Sequence, residues 1–131
     1  MQCSACRGDV TAFEVPADLR EFAPGDAATI CTQCLTVAAA DPANARPAEE
    51  VRFEDIVESF PPGTAGVRMA LVVGMLSSLA LNRSNIETVV EDLAADGVDA
   101  MLILEDLEGE GSLQPRVAIG RRRRQLEQLM E

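Results

Sequence analysis

The pattern of apolar and polar positions changes character twice along the chain. From Asp9 to Pro16 the residues alternate, with Val10, Ala12 and Glu14 on one side and Thr11, Phe13 and Val15 on the other, which predicts a strand. Pro24-Gly25-Asp26 marks a turn within a connecting loop over Asp18 to Asp26. Ala27 to Ile30 then returns as a second strand, and Leu35 to Ala38 can continue the sheet. Asp41 to Pro47, with two prolines among small polar residues, interrupts regular structure and predicts a linker.

Beyond the linker the period becomes helical. Phe53, Ile56, Val57 and Phe60 recur at i, i+3, i+4 and i+7, opposite Glu54, Asp55 and Glu58, and Pro61-Pro62-Gly63 ends that segment. Thr64 to Leu81 is apolar nearly all round and predicts a central helix, with Gly74 and Ser77-Ser78 as small patches where another helix can approach. Asn82-Arg83 reads as an interruption, followed by a capping box at Ser84 to Glu87 and a further helix through Ile86, Val89, Val90 and Leu93. Gly97 predicts a left-handed C-terminal cap, and Asp99 the N-cap of the next segment. That segment, Met101 to Leu107, is a helix or a short buried strand, since so brief an apolar run fits both periods. A last helix over residues 117–130 carries Leu126, Leu129 and Met130 on one face. The fold class is therefore α+β, a small antiparallel sheet over residues 1–40, a linker over 41–47 and a compact helical bundle over 48–131.

Cysteine placement gives the sheet its chemistry. Cys3-x-x-Cys6 and Cys31-x-x-Cys34 contain all four cysteines of the chain, and the sequence has no histidine. Two such pairs across a loop of this length are the ligand set of a tetrahedral Zn(Cys)4 site, because each pair forms a tight turn that aims two sulfurs at one point. Four thiolates fill the shell of one Zn²⁺, leaving no position for water or substrate, so the metal reads as structural. Iron in a rubredoxin-like centre would use the same ligands, but only Phe13 and Phe22 supply rings nearby. A redox pair of the thioredoxin type needs one C-x-x-C at a helix start, which two pairs in a ribbon contradict. Gly8, just past the first pair, allows the backbone to curl so that amides face the sulfurs.

Charge modifies this picture. The chain has 22 acidic residues against 11 basic ones, for a net charge of −11, and none of the basic residues is lysine. Four thiolates around Zn²⁺ would carry it to about −13. Such self-repulsion is tolerable where molar salt shortens the screening length to roughly 3 Å, so the composition reads as that of a halophile's cytoplasmic protein. Met1 lies two residues before the first ligand, leaving no room for a signal peptide, and reduced thiols in the cytoplasm favour metal over disulfide. The uncharged run Met69 to Leu81 is 13 residues, short of the roughly 20 that span a bilayer, so no membrane partner is expected. The acidic cluster Glu105 to Glu110 lacks the spacing of a calcium loop and reads as a solvated face.

Basic character is local. Arg121, Arg122, Arg123 and Arg124 form a candidate phosphate-binding patch, to which Arg7 and Arg20 could add. Four consecutive helical residues point around the whole helix, however, and ion pairing with neighbouring carboxylates competes with that role. No nucleophile–histidine pair can exist, and no phosphate-binding glycine loop is present, so enzymatic activity is not expected.

Taken with the cysteines and the composition, Phe60 to Val67 (Phe-Pro-Pro-Gly-Thr-Ala-Gly-Val), Leu79 to Ser84 (Leu-Ala-Leu-Asn-Arg-Ser) and the Arg-rich stretch Arg121 to Leu129 resemble an uncharacterised haloarchaeal family of small zinc-ribbon proteins. The resemblance covers nearly the whole chain and implies a ribbon, a zinc ion and a helical remainder, without an activity. Two functions of different class follow: an interaction or regulatory adaptor that binds another protein, or a transcription-related nucleic-acid binder using Arg7, Arg20 and the C-terminal arginines. Residues 1–40 contain two arginines against five carboxylates and so no basic face, which favours the adaptor.

Overall fold

The computed structural model describes residues 2–130. Strands β1 (Val10–Glu14), β2 (Ala27–Cys31) and β3 (Val37–Ala39) form one antiparallel sheet in the order β1-β2-β3. Val10 faces Cys31 across the first pairing and Ile30 faces Val37 across the second. The predicted loop between β1 and β2 contains a 3₁₀ helix, Ala17–Phe22, which drops Leu19 into the core.

Four α-helices follow: α1 (Gly63–Met75), α2 (Leu79–Ala95), α3 (Ala100–Gly109) and α4 (Ile119–Leu129). The α+β class is thus observed, and the ambiguous run at 100–107 is helical. Asp99 caps it through its side chain, which accepts from the Leu102 amide at 3.2 Å. Gly97 adopts φ +80° just past α2, the left-handed conformation that L-residues with a Cβ avoid.

The segment 41–47 does not hang free between two bodies. Pro42–Asn44 forms a 3₁₀ turn, and Arg46 pairs with the outer edge of β1, its carbonyl accepting from Glu14 at 2.9 Å and its amide donating to Ala12 at 3.2 Å. The apolar interior crosses these composition boundaries: one cluster joins Phe13, Ile30 and Leu35 of the cysteine-bearing part to Phe53, Leu76 and Leu126.

Phe53 to Phe60 is not the predicted α-helix. It consists of a 3₁₀ helix, Phe53–Asp55, and turns closed by i→i+3 bonds, Ile56 to Phe53 and Phe60 to Val57. A segment this short gains too few hydrogen bonds to offset helix nucleation, and Pro61 disfavours helical geometry at Phe60. Phe53, Ile56 and Phe60 are nevertheless buried as their spacing required, and Val57 is half-buried, because a tight turn also brings i and i+3 to one side.

The predicted single helix over 64–81 breaks at a 3₁₀ turn, Leu76–Ser78, and the chain folds back. Arg68 of α1 and Asp96 just past α2 meet at 3.1 Å, whereas a straight helix would hold residues so spaced about 42 Å apart. Side chains satisfy the carbonyls opened by the break: Ser77 Oγ donates to Gly74, and Asn82 Nδ2 donates to Met75 and Ser78. Asn82-Arg83 therefore does not interrupt a helix, and Ser84 to Glu87 is helix interior rather than a capping box. By length and composition the helical run 63–95 could cross a bilayer, a possibility that the shorter uncharged stretch did not suggest; in this fold it is bent, and 56% of its most apolar window is buried.

Gly74 serves a close approach, though to a strand and not to a helix: a Cβ there would lie 2.9 Å from Cβ of Val37 in β3. Helix α1 is thereby seated directly on the sheet, buried on nearly every side.

Candidate metal centre

Each cysteine pair sits in a turn of the same construction. In the first, the Cys3 amide donates to the Gly8 carbonyl and the Arg7 amide to the Cys3 carbonyl; in the second, Cys31 donates to Thr36 and Leu35 to Cys31. Both turns are closed by a left-handed residue, Arg7 at φ 65° and Leu35 at φ 64°. Neither is glycine, and the left-handed region costs such residues roughly 1–2 kcal/mol, which the turn geometry must offset.

The expected curl is thus made at Arg7, one residue before Gly8. Gly8 has another purpose: a Cβ on it would lie 2.8 Å from Cβ of Gln33 and 3.3 Å from the sulfurs of Cys6 and Cys31. Its missing side chain lets the two turns close on each other, and its amide does face a sulfur, that of Cys6 at 3.4 Å.

The two turns bring all four sulfurs within 4.8 Å of one another. Cys3 and Cys34 are 3.7 Å apart and Cys6 and Cys31 3.5 Å apart, sulfur to sulfur. Metal–sulfur bonds of about 2.3 Å in a tetrahedron require separations near 3.8 Å, so the cluster has the dimensions of a tetrahedral metal site. The donor set fits as well. Amides of Ala5, Gly8, Gln33 and Cys34 point at sulfurs from 3.4 Å, and the Thr36 hydroxyl lies 3.0 Å from Cys34 Sγ, a surrounding that suits thiolates. Cys3, Cys31 and Cys34 are buried and Cys6 is exposed, giving an entry side.

As thiols the four are not alike. Burial pushes Cys31 up to about 12, against the pull of the Cys34 and Gln33 amides. At Cys34 burial also opposes ionisation, but the Thr36 hydroxyl and amide, with the thiols of Cys6 and Cys31, outweigh it and bring the group down to about 7. A cation bound there displaces protons from groups still protonated at neutral pH, so its affinity falls as pH falls.

The second turn is fastened to the far end of the chain. Gln33 Nε2 donates to the Ser112 carbonyl at 2.7 Å, the Gln114 amide to the Gln33 carbonyl at 2.8 Å, and the Arg116 amide to the Cys34 carbonyl at 3.2 Å. Residues 112–116, between α3 and α4, thus line the metal turn as a strand lines a sheet edge. Neither this contact nor the Thr36 hydroxyl was legible from spacing.

The arginine run is not drawn into one surface. Arg123 is largely covered and held by Glu127 at 2.8 Å and Glu108 at 3.4 Å, Arg124 lies 3.6 Å from Glu108, and Arg122 donates to Gln125. Arg121 is exposed and makes no ion pair among the described residues. Arg20 is engaged by Asp26 at 3.7 Å and by the Val15 carbonyl, while Arg7 is exposed beside the first turn.

Fold and cluster together define a small α+β protein with a four-cysteine cluster that could hold a metal ion, braced by its own C-terminal half. The chain belongs to a family of unknown function (DUF6276), whose model matches residues 2–130. No curated protein and no solved structure matches it.

Proposed function

We propose that the protein is a non-enzymatic adaptor of the cytoplasm, in which one structural Zn²⁺ held by Cys3, Cys6, Cys31 and Cys34 fixes a surface that another protein recognises. The observation that supports this reading is the closed donor set: four sulfurs within 4.8 Å, three of them buried. Such a set fills zinc's tetrahedral shell, and what the ion then supplies is folding free energy. The hydrogen bonds from Gln33 and Cys34 to residues 112–116 carry that rigidity into the helical part.

Retrieval of the tagged, zinc-loaded chain at multimolar salt, followed by mass spectrometry and size-exclusion chromatography of the mixture, tests the proposal. A defined protein that co-elutes in fixed ratio is expected. Retrieval of nucleic acid instead, with binding that falls steeply as salt rises, would replace the adaptor with the nucleic-acid reading.

The acidity and absence of lysine support a halophilic setting for the same protein. Its melting temperature is expected to rise as monovalent salt goes from about 0.1 M to about 2 M, since screening relieves carboxylate repulsion. A flat melting temperature would sink that setting.

A further inference from the structure

Beside the second cysteine turn lies a cleft of about 350 Å³, walled by Thr36 and Val37 after the turn, Val73 of α1, and Val117 and Ile119 leading into α4. This volume lies within the range of small binding sites. Its charge is unlike that of the rest of the molecule. Arg116 is the one cationic residue lining it and no carboxylate does, although Cys34, a thiolate when metal is bound, lines it as well. Four other clefts among the described residues each include at least one carboxylate, among them Glu21, Asp26, Asp106 and Asp99.

The same bias extends around the cleft. The segments that meet at the metal turns, residues 1–8, 31–40 and 112–122, contain Arg7, Arg116, Arg121 and Arg122 and no acidic residue, in a chain with 22 of them. Carboxylates reach the margin at Asp9, at Asp41, at Glu21 across Val37 and Gly74, at Glu108, which Arg123 and Arg124 engage, and at Glu110, which accepts from Ser112. Arg116 itself is exposed and has no ion-pair partner among the described residues, whereas Arg20, Arg52, Arg68, Arg83, Arg123 and Arg124 all have one.

We infer that this cleft docks an acidic segment of a partner protein, an apolar side chain entering between Val37, Val73 and Val117 while a neighbouring carboxylate meets Arg116. Apolar walls with one guanidinium at the mouth suit a carboxylate carried beside an aliphatic group. A nucleic-acid strand would use several cations and a stacking ring, and the lining contains no aromatic residue. Cys34, Leu35 and Thr36 form one wall, so the cleft's shape depends on the second cysteine turn.

The inference rests on the adaptor reading and names the surface it uses. Methyl NMR of the zinc-loaded full chain, at the lowest salt that keeps it folded, tests it with a blocked peptide Asp-Asp-Leu-Leu-Asp-Asp, its Asn-for-Asp counterpart and an oligothymidylate. The acidic peptide is expected to shift the methyls of Val37, Val73, Val117 and Ile119. Its binding should weaken about tenfold or more in Arg116→Glu and measurably in Arg116→Gln, and stay within about twofold in Arg52→Glu, outside the cleft. Unchanged resonances elsewhere in each variant establish that it folds. Absence of shifts, equal shifts with the neutral peptide, or undiminished binding in both Arg116 variants overturns the inference. Stronger shifts of the same methyls by oligothymidylate overturn it in favour of phosphate. If a co-eluting partner is retained by Arg116→Glu, the cleft is excluded and the adaptor stands; if the peptide binds but no partner is retrieved, the adaptor reading is the one that fails.

Discussion

Cys31→Ser is expected to abolish stoichiometric zinc binding and to unfold sheet and helices together, in a single transition at a much lower temperature than the parent. Apparent zinc contributions to small cysteine sites run to about 10–16 kcal/mol, comparable with or above the roughly 5–15 kcal/mol that stabilises a whole domain. A hydroxyl in place of a buried thiolate forfeits most of that. Composition alone suggests that the helical part would survive, because 41–47 looks like a linker. The packing argues otherwise: Phe13, Ile30 and Leu35 lie in the same apolar cluster as Leu76 and Leu126, and Arg46 is bonded to β1. Metal analysis with circular dichroism melts of both proteins checks this. Two separate transitions, with most of the helical signal kept, would mean that the cysteine-bearing part and the helices unfold independently.

Phe53→Ala should be the most damaging change away from the metal. Phe53 is fully buried, meets Phe13 edge-on and stacks on Phe60, both at 5.5 Å between ring centres. It also fills the space that Gly66 leaves in α1, where a Cβ would lie 2.3 Å from its ring. Truncating a buried Phe costs about 3–5 kcal/mol, and losing two ring pairs together places the expectation at the upper end. Phe22, half-buried at the cluster's edge, should cost clearly less on the same change. Denaturant midpoints compare them; a loss of under about 1 kcal/mol for Phe53→Ala would show that the three rings do not tie the sheet to α1.

The parts of the fold that were legible in the sequence are those decided by neighbours along the chain. The two C-x-x-C turns, the alternation in β1, the Gly97 cap and the Asp99 cap each depend on a few adjacent residues, and each appears where local chemistry put it. The misread places depend on distant partners. The break at Leu76–Ser78 contains neither Gly nor Pro, and what stabilises it is Asn82 reaching back to Met75 and Ser78 across a turn that had to exist first. Ser84 and Glu87 have the capping-box spacing, but a continuous helix through Asn82 leaves no free amides there for them to satisfy. Phe53 to Phe60 shows the reverse case, in which spacing correctly gave the buried face while helix type was decided by length and Pro61. At the cysteine cluster the meeting of the four sulfurs was legible and its bracing was not, because nothing local links Gln33 to Ser112.

That bracing has an order in time. As the chain is synthesised, all four cysteines are made well before Ser112 to Arg116. A metal ion could therefore be captured while the carbonyls of Gln33 and Cys34 still lack their partners at Gln114 and Arg116. A nascent chain halted before residue 112 would carry its four cysteines without this cover on the second turn, while the Cys6 side stays open with or without it.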